Sequence, residues 1–314
     1  MISSPDSKEG TIALPDRFVT GKIGIVTVLF NSESVLPEFL TSLRNQTYEN
    51  WIVYAIDNAS QDAGAAMCSA QGDRYRVTLN ATNVGVAEAN NQGIYSAIAD
   101  GCEYVLLVNN DVAFGPELIS NLKDGIAIHD CQMTTPTMYY HVPSNLIWYA
   151  GGHYIPWRGF RAVHVGMGQN DGKQSMEPRR VTYSPTCCVL IRREVFARVG
   201  MMDTRYFVYF DDTDWMLRAM RAGISMYYIP NAKLWHKVSS LTGSESEFTV
   251  RFQTRNHAYY NSKHLGRIHA ALMGVLHRCF YAMQWFTGFG GRSSARIRLI
   301  SWNEGVRMAR STGR

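Results

Sequence analysis

The stretch Ile23–Phe30, IGIVTVLF, is short, rich in β-branched residues and apolar almost without a break. A strand buried on both faces carries that pattern, whereas a strand with one wet face alternates. Trp51–Ile56 (WIVYAI) and Tyr104–Val108 (YVLLV) repeat it, and Tyr75–Leu79 is a shorter, more polar version. Gly85–Ala99 has helical spacing, and Asn31 or Ser32 can cap a helix that carries Pro37 in its first turn. Strand and helix in alternation predict right-handed crossovers and a mostly parallel sheet. Ligands bind such sheets beyond the carboxyl ends of the strands. Polar clusters fall at those ends: Asp57-Asn58-Ala59-Ser60 after the second strand, Asn109-Asn110-Asp111 after the fourth.

The second half is less regular. A Gly-, Tyr- and Trp-rich region, Tyr139–Gly168, precedes an apolar strand at Cys187–Ile191 and a helix from near Arg193. The acidic group Asp211-Asp212-Thr213-Asp214 opens a helix to Ala222, which Gly223 ends. A strand at Ile224–Ile229 follows, with Trp235-His236 just beyond. Further on, Leu272, Leu276, Phe280 and Met283 fall at helical spacing within Ile268–Phe286, and Arg292, Arg296 and Arg298 come after. His269, His277 and Arg278 interrupt that run, so it falls short of the ~18 apolar residues of a spanning helix. Two readings stay open: an amphipathic helix lying in a membrane interface, or one packing on the protein's own surface.

Composition narrows the class. The chain has 314 residues, 46% hydrophobic and 18% charged, which suits one large or two modest globular domains. Its formal charge of +5 is unevenly spread, because eight arginines and a single acid, Glu304, lie beyond His264. The positive charge is therefore an appendage and not a working face, which argues against a nucleic-acid partner. None of the six cysteines forms a C-x-x-C pair, and the polar start MISSPDSKEG lacks the apolar core of a secretory signal. Both features fit a reducing cytoplasm.

The first turn, Phe30-Asn31-Ser32-Glu33, has no glycine, so any nucleotide here is not held by a glycine cradle. Asp57 suits either a hydrogen bond from a base or ribose, or an N-cap. Asp111 is a hard oxygen ligand of the kind Mg2+ or Mn2+ prefers, although the asparagines before it equally suit a turn. Asp211, Asp212 and Asp214 repel one another, which raises at least one pKa unless a cation intervenes. They form either a metal or acid–base site or an acidic helix start. His236 can complete a mixed oxygen–nitrogen shell.

Six segments in order carry a resemblance: VTVLFNS at Val26–Ser32, IDNAS at Ile56–Ser60, NVGVAEANNQGI at Asn83–Ile94, VNNDV at Val108–Val112, YFDDTDWMLRAMRAG at Tyr209–Gly223 and PNAKLWH at Pro230–His236. Together they resemble the family 2 glycosyltransferases, and among those the bacterial rhamnosyltransferases of cell-surface polysaccharide assembly. The resemblance implies an α/β, GT-A Rossmann-like fold: a mostly parallel central sheet flanked by helices, with a helical C-terminal extension. Its domain spans 21–266, with a nucleotide-binding half at about 21–115 and an acceptor-binding, catalytic half at about 116–266. A polar segment, 1–20, and a basic amphipathic tail, 267–314, lie outside it.

By the same resemblance, Asp57, Asn83 and the backbone from Thr27 through Phe30 to Asn31 meet the nucleotide of a sugar donor. Asn109-Asn110-Asp111 stands in place of the Asp-x-Asp motif. Asn109 departs from it, so Asp111 is its single carboxylate ligand, and His236 is the second protein ligand to Mg2+ or Mn2+. Asp212 is the base of an inverting transfer, made more basic by Asp211 and Asp214, while Asp211 supports it or orients the acceptor. The expected donor is dTDP-rhamnose; a UDP-hexose, UDP-galactofuranose or a non-catalytic sugar-nucleotide or glycan-binding role are the alternatives. The expected acceptor is a saccharide, free or linked to polyprenyl diphosphate. It is reached at the inner face of the cytoplasmic membrane through peripheral contact by the tail. Trp148, Tyr149, Tyr154, Trp157 and Phe160 stand where it could be received.

Overall fold

The computed structural model describes residues 21–172, 177–237, 246–288 and 291–311; the polar segment 1–20 lies outside the described residues. Strands β1 (Ile23–Leu29), β2 (Trp51–Asp57), β3 (Tyr75–Leu79) and β4 (Tyr104–Val108) run parallel in the order β4-β1-β2-β3. Every residue of β2 and β4 is buried, as their unbroken apolar runs require, while β3 is half exposed at the sheet edge. Helices α1 (Leu36–Arg44), α2 (Gly64–Ser69) and α3 (Val86–Ala99) make the crossovers. Pro37 does lie in the first turn of α1, but neither Asn31 nor Ser32 caps it with a side chain. The Ser32 carbonyl takes the first amides, and its hydroxyl accepts from Phe30 N instead.

The sheet continues through strands of which the sequence pattern revealed only Cys188–Arg192 and the first part of Met226–His236. After β5 (Val112–Phe114), α4 (Leu118–Ile128), β6 (Met133–Tyr140) and β7 (Ile147–Tyr149) comes a separate hairpin, β8 (Gly152–Ile155) and β9 (Arg161–His164). A short edge strand, β10 (Arg179–Val181), precedes β11 (Cys188–Arg192), which runs antiparallel between β4 and β6. Helices α5 (Glu194–Val199) and α6 (Asp211–Arg221) lead to β12 (Met226–His236). The full order β10-β12-β6-β11-β4-β1-β2-β3 is a mixed sheet of mostly parallel strands flanked by helices.

The strand expected to stop at Ile229 instead runs on to His236. Pro230 cannot donate to a ladder, and the chain absorbs it in a bulge, where the register against β6 jumps from Ile229 to Lys233. Beyond the bulge β12 pairs with β5, setting His236 opposite Val112.

Helices α7 (Glu247–His264), α8 (Arg267–Thr287) and α9 (Arg292–Arg310) complete the described chain. Ala258, Tyr281 and Trp302 form a small core between them, and Gly305 lets α9 rest directly on the Arg255 carbonyl. Helix α8 buries Gly274, Tyr281 and Gln284 on one face and leaves Ile268, Leu272, Leu276, Phe280, Met283 and Phe286 exposed on another. It thus packs on the protein and still presents a free apolar stripe. Among the described residues, no helix is long and apolar enough to cross a membrane.

Candidate active site

Parallel pairing sets Thr27 beside Ala55 and Leu29 beside Asp57, so both polar groups lie toward the carboxyl ends of β1 and β2. Thr27 Oγ1 and Asp57 Oδ1 are buried without a hydrogen-bond partner, while Asp57 Oδ2 accepts from Ser60 N at 3.1 Å. Leaving such atoms unpaired costs about 1–3 kcal/mol each, a debt that a ligand donor can relieve. Asn31 is turned inward on its own loops: its amide donates to Ser60 Oγ and its side-chain oxygen accepts from Gln61 N. Phe30 beside it is exposed. Asn83 shapes the entry to α3 by accepting from Gly85 N at 3.0 Å. Gly85 has a φ of +87°, and a Cβ there would stand 2.6 Å from the Phe207 carbonyl, so that turn fits tightly against the segment leading to the acidic cluster.

At the end of β4, Asn109 is exposed and Asn110 is buried, donating to the Val28 carbonyl at 2.6 Å. Asn110 therefore ties β4 to β1. The β5–β12 ladder brings Asp111 against His236, with Asp111 Oδ1 3.2 Å from His236 Nε2. Asp111 Oδ1 lacks hydrogen-bond geometry, and His236 Nδ1 is likewise buried without a partner. Burial works against the imidazolium, but the Cys187 sulfur and the Asp111 carboxylate outweigh it and hold His236 at about 10.

These two side chains fit a divalent ion. Neighbouring ligands on a small octahedral cation with bonds of about 2.1 Å stand about 3 Å apart. Among the described residues, no group of three or more His, Cys, Asp or Glu side chains could hold a metal alone. A donor set of one carboxylate and one imidazole suits an ion that takes its remaining ligands from substrate phosphates and water.

The acidic cluster divides into separate parts. Tyr209 and Phe210 both adopt left-handed backbone, with φ of +65° and +68°, immediately before α6. Such residues cost on the order of 1–3 kcal/mol each and persist only where the surroundings hold them. Asn256 on α7 supplies that hold, donating to the Val208 and Tyr209 carbonyls at 2.7 and 2.9 Å. The turn delivers Asp211 and Asp212 to the start of α6. Burial raises both carboxyls above the usual range, and the charge on Asp212 raises Asp211 further. Hydrogen bonds from Thr213 N, Thr213 Oγ1 and Tyr183 Oη to Asp212 oppose its rise.

Asp214 does not act on Asp212 as the sequence suggested. It is fully buried and meets Lys263 Nζ and His264 Nε2 at 2.7 Å and Arg218 Nε at 3.0 Å. Against the cost of burial, the hydrogen bond from His264 and the charges of Lys263 and Arg218 hold its carboxyl below the usual range. The repulsion expected from Asp214 is neutralised locally, and burial is the main cause that makes Asp212 more basic. Asp214→Asn leaves the two cations Lys263 and Arg218 facing a neutral group and is expected to cost about 3–5 kcal/mol in denaturant unfolding. Because the Asp214 pKa is depressed, its contribution is present at neutral pH and is lost as pH falls through the folded-state value.

A run of ring contacts links the two chemical centres. His236 lies 4.8 Å from the Trp148 ring, Trp148 lies 4.8 Å from His164, and His164 lies 5.7 Å from Tyr183, measured between centroids. Tyr183 Oη then donates to Asp212 Oδ2 at 3.1 Å. A continuous run of side-chain contacts thus connects His236, which lies beside Asp111, to Asp212. A cavity of about 620 Å³ opens beside Asp212, with His164, Tyr183, Thr213 and Phe210 in its wall. Trp157 and Phe160 also line it, whereas Tyr149 and Tyr154 are buried and donate to the carbonyls of Tyr183 and Thr213.

Sequence reading missed Tyr183, His164, Cys187 and Asn256, each a lone residue outside any motif. Tyr183→Phe removes a donor to the charged form of Asp212. The acid limb of any rate that needs ionised Asp212 is then expected to move up by about one pH unit, since a hydrogen bond to a charged group contributes about 1.5–3 kcal/mol. A kcat/KM profile against pH checks this.

A family model described as glycosyl transferase family 2 matches residues 24–200, which include both ends of the parallel half. The chain belongs to glycosyl transferase family 2. It is a glycosyltransferase. The dTDP-rhamnosyl transferase RfbF of Shigella flexneri is 28% identical over 227 residues, covering 70% of each chain. An N-acetylglucosaminyl-diphospho-decaprenol L-rhamnosyltransferase of Mycobacterium tuberculosis (strain ATCC 25618 / H37Rv) is 26% identical over 257 residues, 72% of this chain and 80% of the relative. Among solved structures, GalNAc-T7 with UDP, GalNAc and Mn2+ superposes with a TM-score of 0.59 at 15% identity, over 76% of this chain and 47% of that one. The Pyrobaculum calidifontis mannosyltransferase PcManGT, in complex with GDP-Man and Mn2+, gives 0.53 at 12% identity over 98% and 80%. These likenesses establish the GT-A-like fold.

Proposed function

We propose that this glycosyltransferase is an inverting, divalent-metal-dependent rhamnosyltransferase. It takes rhamnose from dTDP-rhamnose to a saccharide carried on polyprenyl diphosphate, at the inner face of the cytoplasmic membrane. The observation that carries the reading is the run of contacts from the Asp111–His236 pair through Trp148 and His164 to Tyr183, which hydrogen-bonds Asp212. The two rhamnosyltransferase relatives, one of them acting on a diphospho-decaprenol substrate, support the choice of donor and acceptor.

In this reading Thr27 and Asp57 meet the nucleotide with their unpaired oxygens, and Phe30, Asn31 and Asn83 frame its pocket with Asn109 and Asn110. Asp111 and His236 hold Mg2+ or Mn2+, which when bound neutralises charge on the leaving diphosphate. Asp212 takes the proton from the acceptor hydroxyl as that oxygen attacks the anomeric carbon, and Asp211 supports it. One base and one displacement invert the anomeric centre. The domain of this chemistry is 21–266, and the tail from 267 makes the membrane contact. There the apolar stripe of α8 meets lipid, with the arginines of α8 and α9 toward anionic headgroups.

A panel of dTDP- and UDP-sugars, assayed for nucleotide release with and without Mg2+ or Mn2+, tests the donor. Turnover of dTDP-rhamnose only with metal is expected. Preference for a UDP-sugar would replace the donor, and release from none of them would remove the reading.

A further inference from the structure

The 620 Å³ cavity beside Asp212 is separate from the corner formed by Asp111 and His236, neither of which lines it. One wall is the turn of the β8–β9 hairpin, where Trp157, Arg158, Phe160 and Arg161 flank Gly159. The opposite wall is α7 and α8, with Met273 and His277 contributed by α8. The third wall contains Tyr183 and Thr213, the two residues that hydrogen-bond the Asp212 carboxylate.

The charge in this cavity is one-sided. Arg158 and Arg161 are exposed and have no acidic partner among the described residues. No carboxylate belongs to the lining. Burial, His277 and Arg161 hold the His257 imidazole down at about 4, so at neutral pH it is neutral and the arginines alone charge the cavity. Two free guanidiniums in a half-enclosed, partly aromatic cavity are a receptor for a phosphorylated group, because each can present a fork of N–H donors to phosphate oxygens.

The position of α8 specifies what that group is attached to. Met273 and His277 face the cavity, while Ile268, Leu272, Leu276 and Phe280 of the same helix are exposed. A molecule with an anionic head and a long apolar tail can place the head among the arginines and run the tail along α8 toward lipid.

Resting on the acceptor class of the proposed function, we infer that this cavity is the acceptor's diphosphate site, with Arg158 and Arg161 as its specificity-determining residues. The sugar attached to that diphosphate then reaches Asp212 past Tyr183 and Thr213, while the polyprenyl chain leaves along α8. Selectivity for a lipid diphosphate over a free oligosaccharide follows from the two arginines, and not from the donor half of the molecule.

The test uses the full chain, with its donor site filled by Mg2+ and whichever nucleoside diphosphate the donor panel releases. Farnesyl diphosphate, farnesol and inorganic pyrophosphate are titrated in turn, read by calorimetry and by tryptophan fluorescence, which includes Trp157 at the cavity. Farnesyl diphosphate is expected to bind with the donor site occupied, more tightly than either of the other two. The Arg158→Gln/Arg161→Gln variant is expected to lose about tenfold in that affinity for each arginine, while binding farnesol as the wild type does. Unchanged affinity in the variant overturns the inference, as does binding abolished by filling the donor site. Inorganic pyrophosphate binding as tightly as farnesyl diphosphate overturns its lipid part. Slow hydrolysis of donor into water serves as the control. If it survives in the double variant, the transferase reading stands whatever becomes of the diphosphate site.

Discussion

Asp212→Asn is expected to lower transfer by about 10²–10⁴-fold, the range that a positioned general base supplies, while donor affinity stays within about twofold of the wild type. The asparagine keeps the shape of the side chain and can still accept from Thr213, so the start of α6 has no reason to move. It cannot accept a proton. Asp211 next door is a poor substitute, because it is buried and its pKa is raised by burial and by the charge on Asp212. Transfer and donor binding must be read separately, by turnover with acceptor and by calorimetry with donor. Near-normal turnover in the variant would remove Asp212 from the mechanism while leaving the fold assignment untouched.

Asp111→Asn and His236→Ala are expected to raise the Mn2+ concentration needed for half-maximal rate by about 100-fold or more, and a chelator is expected to stop the wild type. No third protein ligand is grouped with these two among the described residues, so losing either removes half of the protein's grip. The same site predicts a pH effect with a definite sign. With no metal bound, His236 is protonated at neutral pH, held at about 10 by Cys187 and Asp111 against the opposing effect of burial. A cation must displace that proton, so metal affinity is expected to rise with pH below the His236 value, by up to about tenfold per unit. Mn2+ titrations followed by EPR at pH 6.5 and 8.5 check it. Equal affinity at the two values, or full activity in Asp111→Asn, would show that the ion is held elsewhere.

The parallel half of the fold was legible in the sequence for a simple reason. Strands β1, β2 and β4 are buried on both faces, and that demand writes unbroken apolar runs that few other structures tolerate. The antiparallel half was legible only at β11 and the start of β12. Strand β12 carries Pro230 in its middle, which locally reads as an end, and only pairing with β6 and β5 shows that it continues. Helix α7 was invisible for the opposite reason: it buries Thr254, Asn256 and Asn261 where an amphipathic pattern would require apolar residues.

The site was legible to a similar extent. Carboxylates at strand ends stand out because they interrupt apolar runs, and Asp57 and Asp111 did so. Asp214 stood out equally and does something else, because its partners are Arg218 one turn on and Lys263 and His264 on a distant helix. Tyr183 and His164 gave no signal at all. Their importance lies in one hydrogen bond and in ring contacts, which no spacing rule records.

In the proposed mechanism a single carboxylate base, Asp212, deprotonates the acceptor while the nucleotide diphosphate leaves from the metal-binding side. The anomeric configuration of the glycoside formed in the first turnovers, read by NMR, tests that most directly. Configuration opposite to the donor's at the transferred sugar is the predicted result; the donor's own configuration, retained in the product, would contradict it.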